Sequence, residues 1–301
     1  MPDNTWLTPY KLPQSTCLSL GPSQGIVFEL SDEAVIKVPF QYPVTRSPST
    51  DEIHDQIYIS LRSLALFKKE SAFYALLAKQ PHTNLAQRLP SKLLSGIVLP
   101  RFRLLEQVWS LYPSTTHFTW IKQLVRAVAW LESLGYTHGD LKILNIGIDS
   151  YNQLQLFDFG SVTHCDDEGF SEQVVEDHFG LATCIHFIAS GVDPIAKANS
   201  YAEVKRVFSA LKEGQGSINE AAKDFEKVIQ AGWTGAASTF SALWEDVANI
   251  GDNWVDHPNL PKTRSDVDHP TIEEDPQWMN EDAYRAAWKA EGYETPDDIW
   301  N

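Results

Sequence analysis

The chain has 301 residues, enough for one large or two smaller packed domains, and its 43% apolar and 21% charged side chains are those of an ordinary globule. Its formal net charge of −16 argues against DNA, RNA or an anionic membrane as the main partner, because those contacts are made by clustered positive side chains. A cationic partner or plain solubility fits better. Three widely separated cysteines, Cys17, Cys165 and Cys184, give neither a disulfide framework nor a metal-ligand spacing. No apolar run approaches the roughly 18 residues of a membrane span. The opening MPDNTWLTPYK does not have the basic-then-apolar pattern of a secretory signal. A reduced, intracellular, cytoplasmic protein is the expectation.

Residues 1–20 assign no element. Gly21, Pro22 and Gly25 predict a turn, Ile26-Val27-Phe28 a strand, Ser31-Asp32-Glu33 a tight turn, and Ala34-Val35-Ile36-Lys37-Val38 a second strand ended by Pro39. Residues 40–65, with Pro43, Pro48 and several Ser and Thr, read as irregular. A helix is predicted from about Leu64 to Lys79, with Leu66, Phe67, Glu70, Phe73, Tyr74 and Leu77 on one face. Glu70 lies inside that apolar stripe, and a buried carboxylate needs a cation. The alternative is a half-exposed glutamate beside Lys68 and Lys69. Gln87 to Pro90 and Gly96 to Pro100 read as short strands.

From Phe118 to Leu134 the helical periodicity is strong. Ile121, Leu124, Val125, Val128 and Leu131 share a face, Thr115, Thr116 or Thr119 is available as the cap, and Gly135 stands where a left-handed terminus is expected. A loop, a hairpin and a second loop follow, and then helices near Glu176–Ser190, Tyr201–Lys212, Asn219–Gly232 and Ser238–Val247. Residues 251–301 hold 13 Asp or Glu against 4 Lys or Arg, together with Trp254, Trp278, Trp288 and Trp300. So much aromatic surface is unfavourable in a solvated tail. This segment is therefore expected to pack on the body, through a helix that starts at Asn280 and ends at Gly292. It would act as a structural extension or as a lid.

The chemistry concentrates in GYTHGDLKILNIGIDSYNQLQLFDFG, from Gly135 to Gly160. Phosphoryl transfer needs a carboxylate near the attacking hydroxyl, oxygen ligands for Mg²⁺ and a cation on the transferring phosphate. In that order these are Asp140, then Asn145 and Asp158, then Lys142. Gly139 and Gly160 permit close backbone approach or dihedrals closed to a side chain. Two ordinary loops flanking a hairpin are the plain alternative.

His138-Gly139-Asp140, Lys142, Asn145 and Asp158-Phe159-Gly160 resemble the catalytic and metal-binding loops of the protein kinase family. The resemblance implies an α+β, two-lobed protein kinase-like fold. Residues 1–99 would form a small lobe of antiparallel sheet plus one helix, 100–250 a larger helical lobe, and 251–301 an acidic extension. It implies ATP and Mg²⁺ held between the lobes, with Asp140 as base and Lys142 beside it. Lys37 would sit on the α and β phosphates, paired with Glu70 (Glu52 is the second choice), and Gly25 and Val27 would lie in the nucleotide-covering hairpin. Lys37 as a lysine snorkelling at a strand end is the plain alternative. His138 would be structural, and Asp177 would hold the catalytic loop from below.

The sequence departs from the family in three places. Of the pattern G-x-G-x-x-G-x-V only the last Gly and the Val are present, as Gly25 and Val27, with Leu20 and Pro22 at the first two glycine positions. Gly139 replaces the usual Arg, as in the His-Gly-Asp loop of small-molecule kinases of the aminoglycoside and choline type. Asp158 and Asp177 are close in sequence with no Ala-Pro-Glu between them, so the peptide-binding platform is abbreviated or absent. The expected function is phosphotransfer from ATP to a hydroxyl acceptor, the Ser/Thr of a protein or a small molecule. The alternative is a pseudokinase or scaffold that retains a nucleotide pocket.

Overall fold

The computed structural model describes residues 6–13, 16–19, 25–44, 49–196, 198–250 and 272–296; the expectations for Leu20, Gly21, Pro22, Trp254 and Trp300 lie outside the described residues. The chain is α+β, with small antiparallel sheets and several helices. It divides into two compact units. The first holds the described residues up to Lys79, Gln87–Arg101 and the described tail. The second holds Gln80–Ala86 and the described residues from Phe102 onward.

The first unit is built on an antiparallel sheet in the order β1-β2-β3, with β1 Ile26–Ser31, β2 Ala34–Val38 and β3 Ile97–Pro100. Ile26, Phe28, Ile36, Val38 and Val98 are buried in its core, joined by Tyr10, Phe40 and Leu89. The stretch expected as a strand at Gln87–Pro90 is not one. Its Leu89 N–H donates to Val98 O at 2.8 Å as in a ladder, and Pro90 has no N–H with which to continue.

The helix α1 runs Thr50–Leu77 and is capped by the Ser49 side chain, which accepts the Glu52 N–H. The stretch expected to be irregular through residue 65 is therefore mostly helical. Ile53, Ile57, Leu61 and Leu64 form its buried stripe, and buried Ser60 and Ser63 interrupt that pattern in the sequence. Their hydroxyls have structural partners. Ser60 Oγ donates to Gln56 O and accepts the Tyr42 N–H, and Ser63 Oγ accepts the Phe40 N–H. The two serines thus fasten the chain leaving β2 to the helix.

In the second unit, β4 Arg103–Leu104 leads into the one-turn α2 Leu105–Val108 and then the long α3 Ser114–Ser133. Trp120, Ile121, Leu124, Val125, Val128 and Leu131 of α3 are all buried. The helix starts after Pro113 with no side-chain cap, rather than at one of the threonines. Next come β5 Tyr136–Thr137, β6 Ile146–Ile148, β7 Leu154–Leu156 and β8 Thr163–His164, arranged as a β4-β6-β7 sheet and a β5-β8 pair. The helices α4 Phe170–Ser190, α5 Tyr201–Lys212, α6 Glu226–Thr234 and α7 Phe240–Ala248 complete the unit. The start of the expected 219–232 helix is a 3₁₀ turn, Glu220–Phe225, capped by Asn219.

The described tail belongs to the first unit. Its helix α8, Glu281–Ala290, is capped by Asn280. Tyr284 and Trp288 are buried against Ile53, Ile57, Leu61 and Leu64 of α1. Upstream, Lys11 N–H donates to Glu273 O and Asp275 N–H to Pro9 O, which fastens the tail to the N-terminal segment. No helix among the described residues is long and apolar enough to cross a membrane.

Candidate active site

The loop from His138 to Asn145 lies between β5 and β6 and is shaped by a buried carboxylate. Asp177 of α4 accepts the His138 N–H at 2.6 Å and the Gly139 N–H at 3.0 Å. Burial pushes the Asp177 carboxyl above the usual carboxylate range, while His138 and those two N–H groups draw it back. Gly139 has φ +79°, and a Cβ there would stand 2.0 Å from Ser161 O, so only glycine fits. The helix comes equally close from beneath, since a Cβ on Gly180 would lie 2.2 Å from Leu141 O.

This frame fixes the polar side chains above it. Asp140 Oδ2 accepts from Lys142 Nζ at 2.7 Å and from Asn145 Nδ2 at 3.2 Å, and the same amide donates to Asp140 O at 2.8 Å. Asp140, Lys142 and Asn145 are therefore brought together. The Asp140 side chain stays partly open to solvent, and Asn145 is buried. Asn145 makes both of these bonds through its amide nitrogen.

Asp158 follows a residue gripped on both sides. Phe157 N–H donates to Asn145 O at 3.1 Å, and His138 Nε2–H reaches Phe157 O at 3.1 Å. The backbone of Asp158 is left-handed at φ 68°, one of two described non-glycine residues with positive φ, a conformation held only where its surroundings enforce it. Phe159 is fully buried with its ring edge-on to His138. Carboxylate and amide oxygens are hard donors, of the kind that suits Mg²⁺ rather than a soft metal.

In the first unit, Lys37 Nζ lies 2.6 Å from Glu70 Oε2, with both side chains buried. Val27 faces Lys37 across β1 and β2. Gly25, at φ +132°, leaves room where a Cβ would come 2.9 Å from Val38 O and 3.5 Å from Lys37 Cε. Lys37, Glu70, Gly25 and Val27 are thus neighbours in this unit. Glu52, the second choice for the lysine partner, is exposed in the first turn of α1.

Sequence reasoning missed the surroundings of Asp140. A cavity of about 490 Å³ opens beside the loop, walled by Glu176 and Phe179 of α4, Asp193, Ile195 and Phe208 of α5. These residues come from three separated segments, so no spacing marks them. Gln173 Nε2 also donates to Gly139 O at 3.2 Å. Elsewhere, the consecutive residues His164, Cys165 and Asp166 bring three ligand atoms within 4.8 Å of one another at a largely exposed turn, although the cysteine spacing had suggested no metal. No protein-family model matches the chain.

Proposed function

We propose that this chain is an ATP- and Mg²⁺-dependent phosphotransferase of protein kinase-like fold, moving the γ-phosphate to a hydroxyl acceptor. In this reading the sheet-and-helix unit is the small lobe and the helical unit the large lobe. The observation that carries the proposal is the coupling of Asp140, Lys142 and Asn145 in one loop. That loop is held by Asp177 and joined through Phe157 to Asp158.

Asp140 orients the acceptor hydroxyl and accepts its proton as the oxygen attacks the γ-phosphorus. Lys142, 2.7 Å from the same carboxylate, offsets negative charge that builds on the transferring group. Asn145 and Asp158 would hold the metal ion, which when bound neutralises phosphate charge. Lys37, kept in place by Glu70, serves the α and β phosphates, and Gly25 and Val27 line the nucleotide's cover. His138 is given no base role in this scheme: its Nε2–H is donated to Phe157 O and its Nδ1 accepts the Asp140 N–H.

The test is ATP turnover by the full chain with and without Mg²⁺, set beside D140A and D158A. Turnover is expected only with Mg²⁺. D140A should lower it by about 10²–10⁴-fold, the usual contribution of a positioned general base, and D158A should remove the Mg²⁺ response. Wild-type turnover in D140A would exclude the role given to that residue. A folded wild type that neither turns over ATP nor binds it in a Mg²⁺-dependent way would favour the pseudokinase or scaffold alternative.

A further inference from the structure

We propose that the turn after β8 binds a thiophilic divalent cation such as Zn²⁺ through His164, Cys165 and Asp166, a site independent of the phosphotransfer proposal. Neighbouring side chains on an extended strand point to opposite faces. Here the strand ends at His164 and the chain turns at Cys165 and Asp166, so three consecutive side chains can converge. Among the described residues this is the one group of three His, Cys or carboxylate side chains whose ligand atoms come together in this way.

The spacing fits a metal. Cys165 Sγ stands 3.9 Å from either ring nitrogen of His164 and 4.0 Å from Asp166 Oδ1, and His164 Nδ1 lies 3.3 Å from Asp166 Oδ2. With zinc bonds of about 2.3 Å to sulfur and about 2.0–2.2 Å to nitrogen and oxygen, tetrahedral ligand atoms sit roughly 3.3–3.7 Å apart. The three groups therefore need only a small contraction to share an ion. A thiolate and an imidazole select borderline and soft metals, whereas Mg²⁺ takes oxygen ligands. Three protein ligands leave the fourth tetrahedral position to water.

The backbone under the ligands is already fixed. Asp167 Oδ2 accepts the His164 N–H at 3.0 Å, Asp167 N–H donates to His164 O at 2.9 Å, and Cys165 N–H donates to Gly135 O at 2.8 Å. The His164 ring lies edge-on to Tyr136, with centroids 4.8 Å apart. The cost of ordering thus falls mainly on Cys165 and Asp166, whose exposed side chains are short. Asp167 and Glu168 place further negative charge beside the ligands, which attracts cations. As the sulfur–metal bond forms, the Cys165 thiol releases its proton to solvent.

The place of the site gives binding a consequence. His164 pairs with Tyr136 across β8 and β5, and β5 leads directly into the loop of His138 and Asp140. An ion at the turn braces the end of this pair, and with it the entry to that loop.

Calorimetric titration of Zn²⁺ into the reduced full chain, in excess Mg²⁺, tests the site. One Zn²⁺ per chain is expected to bind at micromolar concentration. C165S, D166A and H164F, which keeps a ring against Tyr136, should each weaken binding by at least about tenfold, since loss of even a ligand's supporting partner costs that much. D158A should bind Zn²⁺ as the wild type does, which separates this site from the proposed Mg²⁺ ligands. Bound Zn²⁺ should also protect Cys165, the exposed cysteine of the three, from alkylation. The proposal is overturned if Zn²⁺ does not bind at micromolar concentration, if excess Mg²⁺ displaces it, if D158A abolishes binding, if Cys165 stays open to alkylation, or if any one of the three ligand variants retains wild-type affinity. Saturating Zn²⁺ should slow hydrogen exchange at the Cys165 amide several-fold, and an unchanged rate would overturn the bracing of the β5-β8 pair.

Discussion

Two carboxylates, one in each unit, are buried almost completely: Glu70 at 0% and Asp177 at 1% exposure. They are stabilised by different means. Glu70 meets a cation, Lys37 Nζ at 2.6 Å. Asp177 accepts from two backbone N–H groups, those of His138 and Gly139, at 2.6 to 3.1 Å. An ion pair constrains two side chains, and both can be replaced together. A carboxylate bound to main chain constrains the course of the backbone, and no partner substitution restores it. The first unit therefore positions a charge, whereas the second positions a loop.

The sharpest break of this contrast is at Lys37 and Glu70. Removing one member leaves an uncompensated charge in a dry site, so E70L or K37M alone is expected to lose about 3–5 kcal/mol in urea unfolding. Changing both, as K37M/E70L, should recover most of that loss, because apolar residues of similar volume replace a buried pair at little or no net cost. Under the proposed function the double variant folds but does not turn over ATP, since the phosphate ligand is gone. An E70L protein as stable as the wild type would show that the pair carries no desolvation cost.

Asp177 comes next. In D177A two buried N–H groups lose their acceptor, for about 1–3 kcal/mol each, and the His138–Asp140 backbone loses its anchor. Because its hydrogen-bond partners are main-chain N–H groups, no second-site substitution should restore stability as it does for Lys37 and Glu70. D177N, with one acceptor oxygen in place of two, should fall between D177A and the wild type. If D177A unfolds at the wild-type midpoint, the loop is held by Gly139, Gly180 and Phe159 packing instead.

The sequence makes these two sites legible to different extents, and for physical reasons. Glu70 could be singled out because a carboxylate inside a helical apolar stripe contradicts the pattern around it, and the structure supplies its cation. The hairpin after Asn145 and the α5 bounds at Tyr201 and Lys212 follow from short-range periodicity and glycine punctuation, and both are present. The first turns of α1 were hidden because Ser60 and Ser63 sit on its buried face, where tertiary hydrogen bonds from Phe40 and Tyr42 satisfy them. Leu89 bonds to Val98 as a strand would, but Pro90 stops the ladder. The cavity beside Asp140 is assembled from the loop, α4, the Asp193–Ile195 turn and α5, and no window along the chain contains such a set.

The smallest effect is expected at the surface, where α8 meets α1. Glu281 is bonded to Lys68 at 2.6 Å and to Arg285 at 3.0 Å. The Lys68 hydrogen bond, more than the Arg285 contacts and against the opposing effect of burial, holds its carboxyl below the usual range. A carboxyl lowered in the folded state contributes stability that is fully present above its unfolded pKa, near 4.3, and is lost as the pH falls through the lower folded value. The stability difference between wild type and E281Q should therefore be up to about 1 kcal/mol at pH 7 and shrink toward zero in acid. Added salt should reduce it as well, since Lys68 is largely exposed. Tyr284 and Trp288, buried at the same contact, anchor α8 mainly through apolar area, so the tail should remain docked in E281Q. A difference that stays constant from pH 7 to pH 3 would assign the Glu281 effect to packing, leaving Lys37–Glu70 as the ion pair that matters in this unit.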